Sequence, residues 1–259
     1  MCLVGVAIEH FADFPLVIVA NRDEFHARPT QALHRWTHPA GLIGGKDLQA
    51  GGTWLGATAN GRIAVLTNIR GYSEPPANAP SRGALVTDFL TSKLNAEQWL
   101  FQLQSNAHNY AGFNLLVSDN ARDIYLTSSH GDILPLASGV HALSNGRYGE
   151  NWPKTDKLRT ALAQCQDGAS PRSLLKTIES RYQPPDADLP QTGVDLEKER
   201  LLAPALIISE DYGTRATTIL QLSSKGKMTL TEYTRLTDGN VCSEAHESWS
   251  LANFRSTSK

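Results

Sequence analysis

The sequence lacks an apolar run long enough to cross a bilayer. Its longest runs, such as residues 16–20, fall far below the roughly 18 residues that a membrane-spanning helix needs. Its beginning also lacks the basic segment, apolar segment and small-residue cleavage site of a secretory signal peptide. We therefore expect a soluble, cytoplasmic protein without a transmembrane segment.

Cysteine is scarce, and the cysteines and histidines show no metal-site spacing. The three cysteines, Cys2, Cys165 and Cys242, are odd in number and widely separated, which argues against a disulfide framework and for a reducing compartment. No two cysteines have the close spacing of a structural zinc site. We expect neither a metal ion nor a cofactor to be required.

Charge of either sign is not in excess. The chain has 24 basic and 26 acidic residues and a formal net charge of -2, so it lacks the electrostatic footprint of a nucleic-acid binder. Apolar residues make up 41% and charged residues 19%, which is ordinary for a globular protein. A chain of 259 residues can bury a substantial core, and we interpret residues 1–259 as a single domain.

What the sequence does have is a cysteine directly after its first methionine. Removal of Met1 would leave Cys2 with a thiol and a free α-amine on one residue. A chain-terminal amine titrates near about 7.7–8.0 and a free thiol near about 8.5, so a proton can pass between them close to neutral pH. Cys2 could then act as a nucleophile that carries its own base, without a separate histidine.

The hydrophobic pattern predicts strands and helices in alternating groups. Residues 3–8 and 16–20 predict a β-hairpin, and a helix with apolar residues up to position 94 is predicted to follow residues 81–83. Further strands are predicted at residues 54–58, 62–69, 113–118, 124–128, 140–143, 205–209, 214–222 and 228–234. Further helices are predicted at residues 96–105, 154–164 and 171–181.

The segments between these elements predict how the sheets are connected. The stretch after residue 25 is predicted to be loose, residues 71–81 a proline-rich loop, and residues 183–203 an exposed loop that could act as a lid. The tail, about residues 241–259, is predicted to be weakly structured. Most consecutive strands are separated by turns alone, which favours antiparallel sheets with helices packed outside over a parallel sheet.

Several short motifs are distributed over most of the chain. They are Cys2, Asn21-Arg22-Asp23-Glu24, Arg28-Pro29, Gly51-Gly52-Thr53-Trp54-Leu55-Gly56, Thr67-Asn68, Ser81-Arg82-Gly83, Leu143-Ser144-Asn145 and Tyr212-Gly213-Thr214-Arg215. In this combination the sequence resembles the NRDE, or transport-and-Golgi-organisation, family. More distantly, it is similar to the choloylglycine and penicillin V acylase branch of the N-terminal-nucleophile (Ntn) hydrolases. That similarity implies an α+β fold, a four-layer αββα sandwich of two mainly antiparallel sheets between helical layers.

The acylase resemblance also implies roles for individual residues. Cys2 would be the nucleophile that attacks an amide carbonyl. Arg22, with Asp23 or Glu24, would match the arginine and acid that orient the nucleophile, although an alternative alignment puts Asn21 in the place of the arginine.

Residues from more distant motifs would complete the site. Asn68 and Asn145 match the asparagines that stabilise the oxyanion and position the amine, and Arg215 matches a second arginine near the nucleophile. Neutral amide donors suit this task because they stabilise developing negative charge without holding a proton themselves. Asn21 and Trp54 are candidate ligand contacts, with a core position as the simpler explanation for Trp54.

Two functions from different classes remain open. The first is hydrolysis of a linear carbon–nitrogen amide through a Cys2 thioester. The second, implied by the NRDE resemblance, is a non-enzymatic carrier that traffics haem or handles lipid or acyl-CoA in the same pocket. Haem needs an axial Cys, His, Met or Tyr beside an apolar slot, and the eight histidines form no short haem motif, but weak exchangeable binding would leave little trace. In either case the expected partner is a small molecule.

Overall fold

The computed structural model describes residues 2–71, 78–252 and 254. Its strands are β1 (Cys2–Phe11), β2 (Phe14–Phe25), β3 (Thr30–Arg35), β4 (Leu42–Asp47), β5 (Leu55–Thr58), β6 (Ile63–Asn68), β7 (Phe113–Ser118), β8 (Tyr125–Ser128), β9 (Ile133–Pro135), β10 (Gly139–Leu143), β11 (Tyr212–Leu222), β12 (Lys227–Arg235) and β13 (Val241–Ser250). Its α-helices are α1 (Arg82–Thr91), α2 (Ala96–Gln104), α3 (Pro153–Gln164), α4 (Pro171–Thr177) and α5 (Leu196–Leu202). None of these helices combines the length and hydrophobicity required to cross a bilayer.

The first sheet contains the predicted hairpin at its centre, in the strand order β10-β1-β2-β11-β12-β13. All of its neighbouring strands are antiparallel, and Cys2 is paired directly with Arg22. The hairpin prediction is confirmed, but β2 is longer than residues 16–20 suggest. Residues 21–24 lie inside the strand because β11 pairs with them on the side opposite β1.

The second sheet has the order β3-β4-β5-β6-β7-β8-β9 and is also antiparallel throughout. Its first two strands occupy the stretch that the sequence predicts to be loose, so that prediction is wrong. In β3 only Leu33 is buried, which leaves no alternating pattern to recognise. In β4, Gly44 is a weak strand former, yet a Cβ atom there would lie 2.6 Å from the carbonyl oxygen of Leu55. The close approach of β5 therefore requires this glycine.

The core is divided into layers by the two sheets. Alternate residues of each strand, such as Val4 and Ile18 in the first sheet and Leu55 and Val65 in the second, pack between the sheets. This inner layer brings the two sheets face to face.

Helices cover both outer faces. Leu158 of α3 and Leu174 of α4 pack on the first sheet near Leu3. Phe89 of α1 and Leu100 of α2 pack on the second sheet, together with Ala64, Leu66 and Leu115. The order helices, sheet, sheet, helices confirms the predicted αββα sandwich.

The predicted helices are confirmed with small changes at their ends. Helices α2 and α3 match residues 96–105 and 154–164 to within one residue. Helix α4 ends at Thr177, earlier than the predicted residue 181, and α1 ends at Thr91.

The strand predicted at residues 205–209 is wrong. Ala205, Leu206 and Ile207 are buried but belong to an irregular segment. Ile207 exchanges hydrogen bonds with Thr214, whose hydroxyl accepts the Ile207 N–H at 3.0 Å and whose N–H donates to the Ile207 carbonyl at 2.9 Å. A short apolar run signals burial without fixing the backbone conformation.

Two stretches predicted to lack regular structure contain it. Within residues 183–203, helix α5 begins at the Asp195 cap, whose carboxylate accepts the Lys198 N–H at 2.8 Å. Residues 241–250 of the predicted weak tail form β13, a mainly exposed edge strand whose polar composition hides it from a hydrophobic pattern. The loop predicted at residues 71–81 lies partly outside the described residues, since 72–77 are not among them.

Candidate active site where the first strand begins

A cleft of about 440 Å³ lies where β1 begins and where β2 and β6 end. Its first-sheet wall, as we call it, consists of Cys2, Arg22, Asp23 and Glu24, and its second-sheet wall of Trp54, Asn68, Ser81, Arg82 and Gly83. The remaining lining residues are Arg28, Asp47, Ala50, Gly52, Thr53, Leu66, Ala79, Pro80 and Ala111. A larger groove of about 680 Å³ runs along α3 and α4, but it contains none of the motif residues.

Cys2 lies at the start of β1 with 8% of its surface exposed. It belongs to the inner face of the first sheet with Val4, whereas Leu3 faces the outer helices. Burial raises the pKa of the Cys2 thiol, the carboxylates of Asp23 and Glu24 raise it further, and Arg22 opposes the shift. The thiol is therefore protonated at neutral pH, and a reaction at the sulfur needs a base.

Arg22 is held on several sides. Its Nη1 donates to the Thr30 hydroxyl at 3.1 Å, and its Nη2 lies 3.7 Å from an Asp47 carboxylate oxygen. Its guanidinium stacks over the Trp54 ring at 4.4 Å from the centroid. These contacts fix a buried positive charge next to Cys2 in the paired strand.

Asp47 links Arg22 to Arg28 and so anchors the rim of the cleft. The Nε of Arg28 lies 2.7 Å from the Asp47 carboxylate and 3.7 Å from that of Glu24. Burial acts to raise the pKa of Asp47, but the Ala50 N–H and Arg28 outweigh it and hold that pKa below its usual value. Asp47 is thus an anion at neutral pH that keeps both arginines in place.

Asp23 is 1% exposed. Its carboxylate accepts a hydrogen bond from the Thr214 hydroxyl at 2.6 Å, and its carbonyl accepts one from Tyr212 at 2.9 Å. Burial raises the pKa of Asp23, while Lys154, the Thr214 hydroxyl and Arg22 oppose the shift. Asp23 is therefore the acid of the first-sheet wall that is most deeply removed from water.

The two candidate asparagines occupy different positions. Asn68 lines the cleft at the end of β6, and its side-chain amide has no hydrogen-bond partner in the part of the chain that the structure describes. Asn145 is buried behind it, where its Nδ2 donates to the Asn68 carbonyl at 3.0 Å. Ser144 connects the pair to Cys2, since its hydroxyl donates to the Cys2 carbonyl at 3.2 Å. Asn68 can contact a ligand directly, and Asn145 holds the backbone of Asn68.

Asn21 and Arg215 do not line this cleft. The Asn21 amide donates to the carbonyls of Ile178 and Ala205 on the outer face of the first sheet, at 3.1 and 2.8 Å. Arg215 donates to the carbonyls of Phe25 and Arg28 at 2.9 Å each, and thereby braces the end of β2. A role for these two residues in catalysis or ligand binding stays a prediction.

Sequence reasoning assigned no role to Lys154 and Arg82. Lys154 opens α3 but is only 5% exposed, its Nζ donates to the Leu202 carbonyl at 2.9 Å, and burial lowers its pKa to about 8 while Asp23 opposes the shift. A lysine at a helix start gives no sequence signal of burial. Arg82 belongs to a recognised motif, and the structure shows it in the cleft. Burial lowers the pKa of Arg82, but a guanidinium stays charged at neutral pH.

The described residues contain no group of three or more histidine, cysteine, aspartate or glutamate side chains arranged to hold a metal ion. Of the residue types that ligate haem iron, Cys2 is the one found among the described residues that line the cleft.

Comparison with known proteins gives matches at the level of sequence. A family model described as Transport and Golgi organisation 2 matches residues 1–237. The mouse Transport and Golgi organization 2 homolog is 30% identical over 248 residues, covering 86% of this chain and 87% of the mouse protein. A bovine homolog is 30% identical over 244 residues, with 86% and 87% covered.

Comparison of structures extends the match to more distant proteins. An N-acylethanolamine-hydrolyzing acid amidase ortholog from Caenorhabditis elegans superimposes with a TM-score of 0.51 at 10% identity, over 85% of this chain and 92% of that one. The C2A mutant of a conjugated bile acid hydrolase from Clostridium perfringens also gives 0.51, at 9% identity over 97% and 98%. At these identities the likeness concerns the fold, which is that of an Ntn hydrolase.

Proposed function

This chain belongs to the Transport and Golgi organisation 2 family, and from that premise, with its Ntn-hydrolase-like fold, we propose that it hydrolyses a linear carbon–nitrogen amide with Cys2 as nucleophile. The observation that carries the proposal is that Cys2 lines one cleft with Asn68, whose side-chain amide has no hydrogen-bond partner among the described residues. The proposed nucleophile and the proposed oxyanion donor thus come from distant parts of the chain and line the same cleft.

The first half of the proposed reaction forms a thioester. After removal of Met1, the α-amine of Cys2 takes the thiol proton, and the sulfur attacks the amide carbonyl carbon. The carbonyl oxygen becomes an oxyanion, which the Asn68 N–H stabilises. The ammonium then gives its proton to the leaving nitrogen, the carbon–nitrogen bond breaks, and the acyl group stays on the sulfur.

The second half restores the enzyme. A water molecule gives a proton to the α-amine and attacks the thioester carbon. The carbon–sulfur bond breaks, the carboxylic acid leaves, and the thiolate takes the proton back from the ammonium. In both halves of the reaction, Arg22 and Asp23 keep the electrostatic environment of Cys2 constant. Arg22 can do so because its contacts with Thr30, Asp47 and Trp54 fix its position.

The test begins with the intact mass of the purified protein, which reports whether Met1 is removed. Release of amine is then measured with N-acylethanolamines and conjugated bile acids, the compounds named for the two structural neighbours. We expect hydrolysis by the wild type, its loss in Cys2→Ala with an unchanged circular dichroism spectrum, and its retention in Cys165→Ala and Cys242→Ala. Hydrolysis by protein that retains Met1, or undiminished hydrolysis by Cys2→Ala, would refute the proposal.

As a second candidate we propose haem carriage in the same cleft. It is favoured by the presence of a potential axial thiolate, Cys2, beside the apolar Trp54 and Leu66. Titration of the protein with haemin should then give a saturable Soret shift that Cys2→Ser abolishes. A shift that survives in Cys2→Ser would rule out this mode of binding.

A further inference from the structure

The charges that line the cleft are unevenly paired. Three arginines and three acids line it, namely Arg22, Arg28, Arg82, Asp23, Glu24 and Asp47. Arg22 and Arg28 lie near Asp47, and Arg28 also lies near Glu24. Arg82 forms no ion pair with any residue that the structure describes, although it lies within electrostatic reach of Cys2 and Glu24. Within the described part of the chain, Arg82 is therefore a cation of the cleft without an ion-pair partner.

A hydrogen bond to the backbone holds the Arg82 side chain in place. Its Nη1 donates to the Gly112 carbonyl at 3.0 Å. Its other N–H groups have no partner among the described residues, and none of these atoms is fully buried. A guanidinium has five N–H donors in a fixed fork that suits a carboxylate, so several donors remain for a ligand.

The backbone around Arg82 explains one glycine in each of two motifs, Gly52 and Gly83. A Cβ atom at Gly52 would lie 2.5 Å from the carbonyl carbon of Gly83, and one at Gly83 would lie 3.2 Å from the Thr53 carbonyl oxygen. The two segments therefore pack backbone against backbone. This contact brings the first residue of α1 to the cleft and fixes the position of Arg82.

We propose that Arg82 binds an anionic group of the substrate, so that the cleft takes amides that carry a carboxylate beside the scissile bond. This specificity rests on the proposed hydrolase function, but the binding of the anion at Arg82 can be measured without turnover.

The first experiment compares two alkylating reagents that differ only in charge. Rates of Cys2 modification by iodoacetate and by iodoacetamide are followed by mass spectrometry, with Cys165 and Cys242 as internal references. We expect the iodoacetate to iodoacetamide ratio at Cys2 to fall about five-fold in Arg82→Gln and to be kept in Arg82→Lys. Arg181→Gln is the matched control, because Arg181 is exposed, also donates to a carbonyl and lies outside the cleft. Equal ratios in the wild type and Arg82→Gln would overturn the proposal.

The second experiment uses hydrolysis of matched amides. Succinyl and butyryl anilides differ by a carboxylate on the acyl side, and N-butyrylglycine and N-butyrylethanolamine differ by one on the amine side. We expect kcat/KM to favour the anionic member of at least one pair, and Arg82→Gln to reduce that preference about 10- to 100-fold. An equal loss for both members would overturn the specificity. If no amide is cleaved, the hydrolase proposal fails while the alkylation ratio still decides the anion site.

Discussion

The two walls of the cleft differ in how their polar side chains are used. On the first-sheet wall, Arg22 is engaged with Thr30, Asp47 and Trp54, and Asp23 accepts a hydrogen bond from Thr214. On the second-sheet wall, the Asn68 amide and most donors of Arg82 have no partner among the described residues.

This difference separates residues that stabilise the structure of the site from residues that can bind a ligand. Buried charges and amides whose donors are already used contribute mainly to structure, because their loss leaves protein groups unpaired. Donors that face a cleft without a protein partner are free to bind a substrate or an oxyanion. The walls should therefore respond differently when their residues are replaced.

The largest expected difference between the two walls is the stability that each loses when its arginine is replaced. Arg22→Gln should lower the free energy of unfolding by about 3–5 kcal/mol, since it removes a charged hydrogen bond and a buried cation–π contact. Arg82→Gln should lower it by less than about 1.5 kcal/mol, because one hydrogen bond to a carbonyl is at stake. Urea unfolding with equal m-values measures both. Equal losses would show that the two arginines are equally structural.

The two asparagines sharpen the comparison, because Asn68 lines the cleft and Asn145 lies behind it. Asn68→Ala should reduce kcat about 10²- to 10³-fold with little change in stability, as expected for loss of an oxyanion donor. Asn145→Ala should instead reduce the free energy of unfolding by about 1–3 kcal/mol, because its buried amide holds the Asn68 carbonyl. Steady-state kinetics and denaturant titration on both variants distinguish the two roles. The idea fails if Asn145→Ala loses activity at unchanged stability.

The pH dependence of stability tests whether the charge of Lys154 is buried behind the first-sheet wall. Its pKa is lowered to about 8 from 10.5, so between these values the unfolded chain binds more protons than the folded chain, and stability rises with pH. Relative to Lys154→Met, wild-type stability should increase by up to about 3 kcal/mol across that window, at about 1.4 kcal/mol for each pKa unit. Urea titrations at several pH values give this difference. A difference that is flat or falls with pH would contradict burial of the charge.

The contact between the two glycine segments can be tested by adding a single methyl group on either side. Gly52→Ala should lower the free energy of unfolding by about 1–3 kcal/mol, because its Cβ atom would meet the Gly83 backbone at 2.5 Å. Gly83→Ala should cost less, since its nearest neighbour would lie at 3.2 Å. The pair of variants provides its own control. The reverse order would show that the contact is looser than described.

Much of the fold could be predicted because strong local patterns coincide with real elements. The β1–β2 hairpin, helices α2 and α3 and the αββα arrangement were all accessible from apolar spacing, turn residues and family motifs. Strands β3 and β13 were not, because they lie at sheet edges and have polar, mainly exposed side chains. For such strands, pairing with a neighbour decides the structure and side-chain hydrophobicity does not.

The site could be predicted as a set of motifs but not as a set of roles. The motifs containing Cys2, Arg22 and Asn68 meet in one cleft, as their joint occurrence suggested. The side chains of adjacent residues in a strand nevertheless point to opposite faces, so Asn21 faces the outer helices while Arg22 faces the cleft. The burial of Lys154 depends on the chain that covers it near Leu202. No local pattern encodes that contact.

The alternation of side chains along β1 has a consequence for the evolution of this protein. Cys2 faces the cleft and Leu3 the helical layer, so inserting or deleting an odd number of residues between the cysteine and the turn at residues 12–13 would turn the sulfur away from its partners. Even-numbered changes would preserve its orientation and alter only its depth. Length variation among descendants of this chain should therefore be tolerated in steps of two within this hairpin.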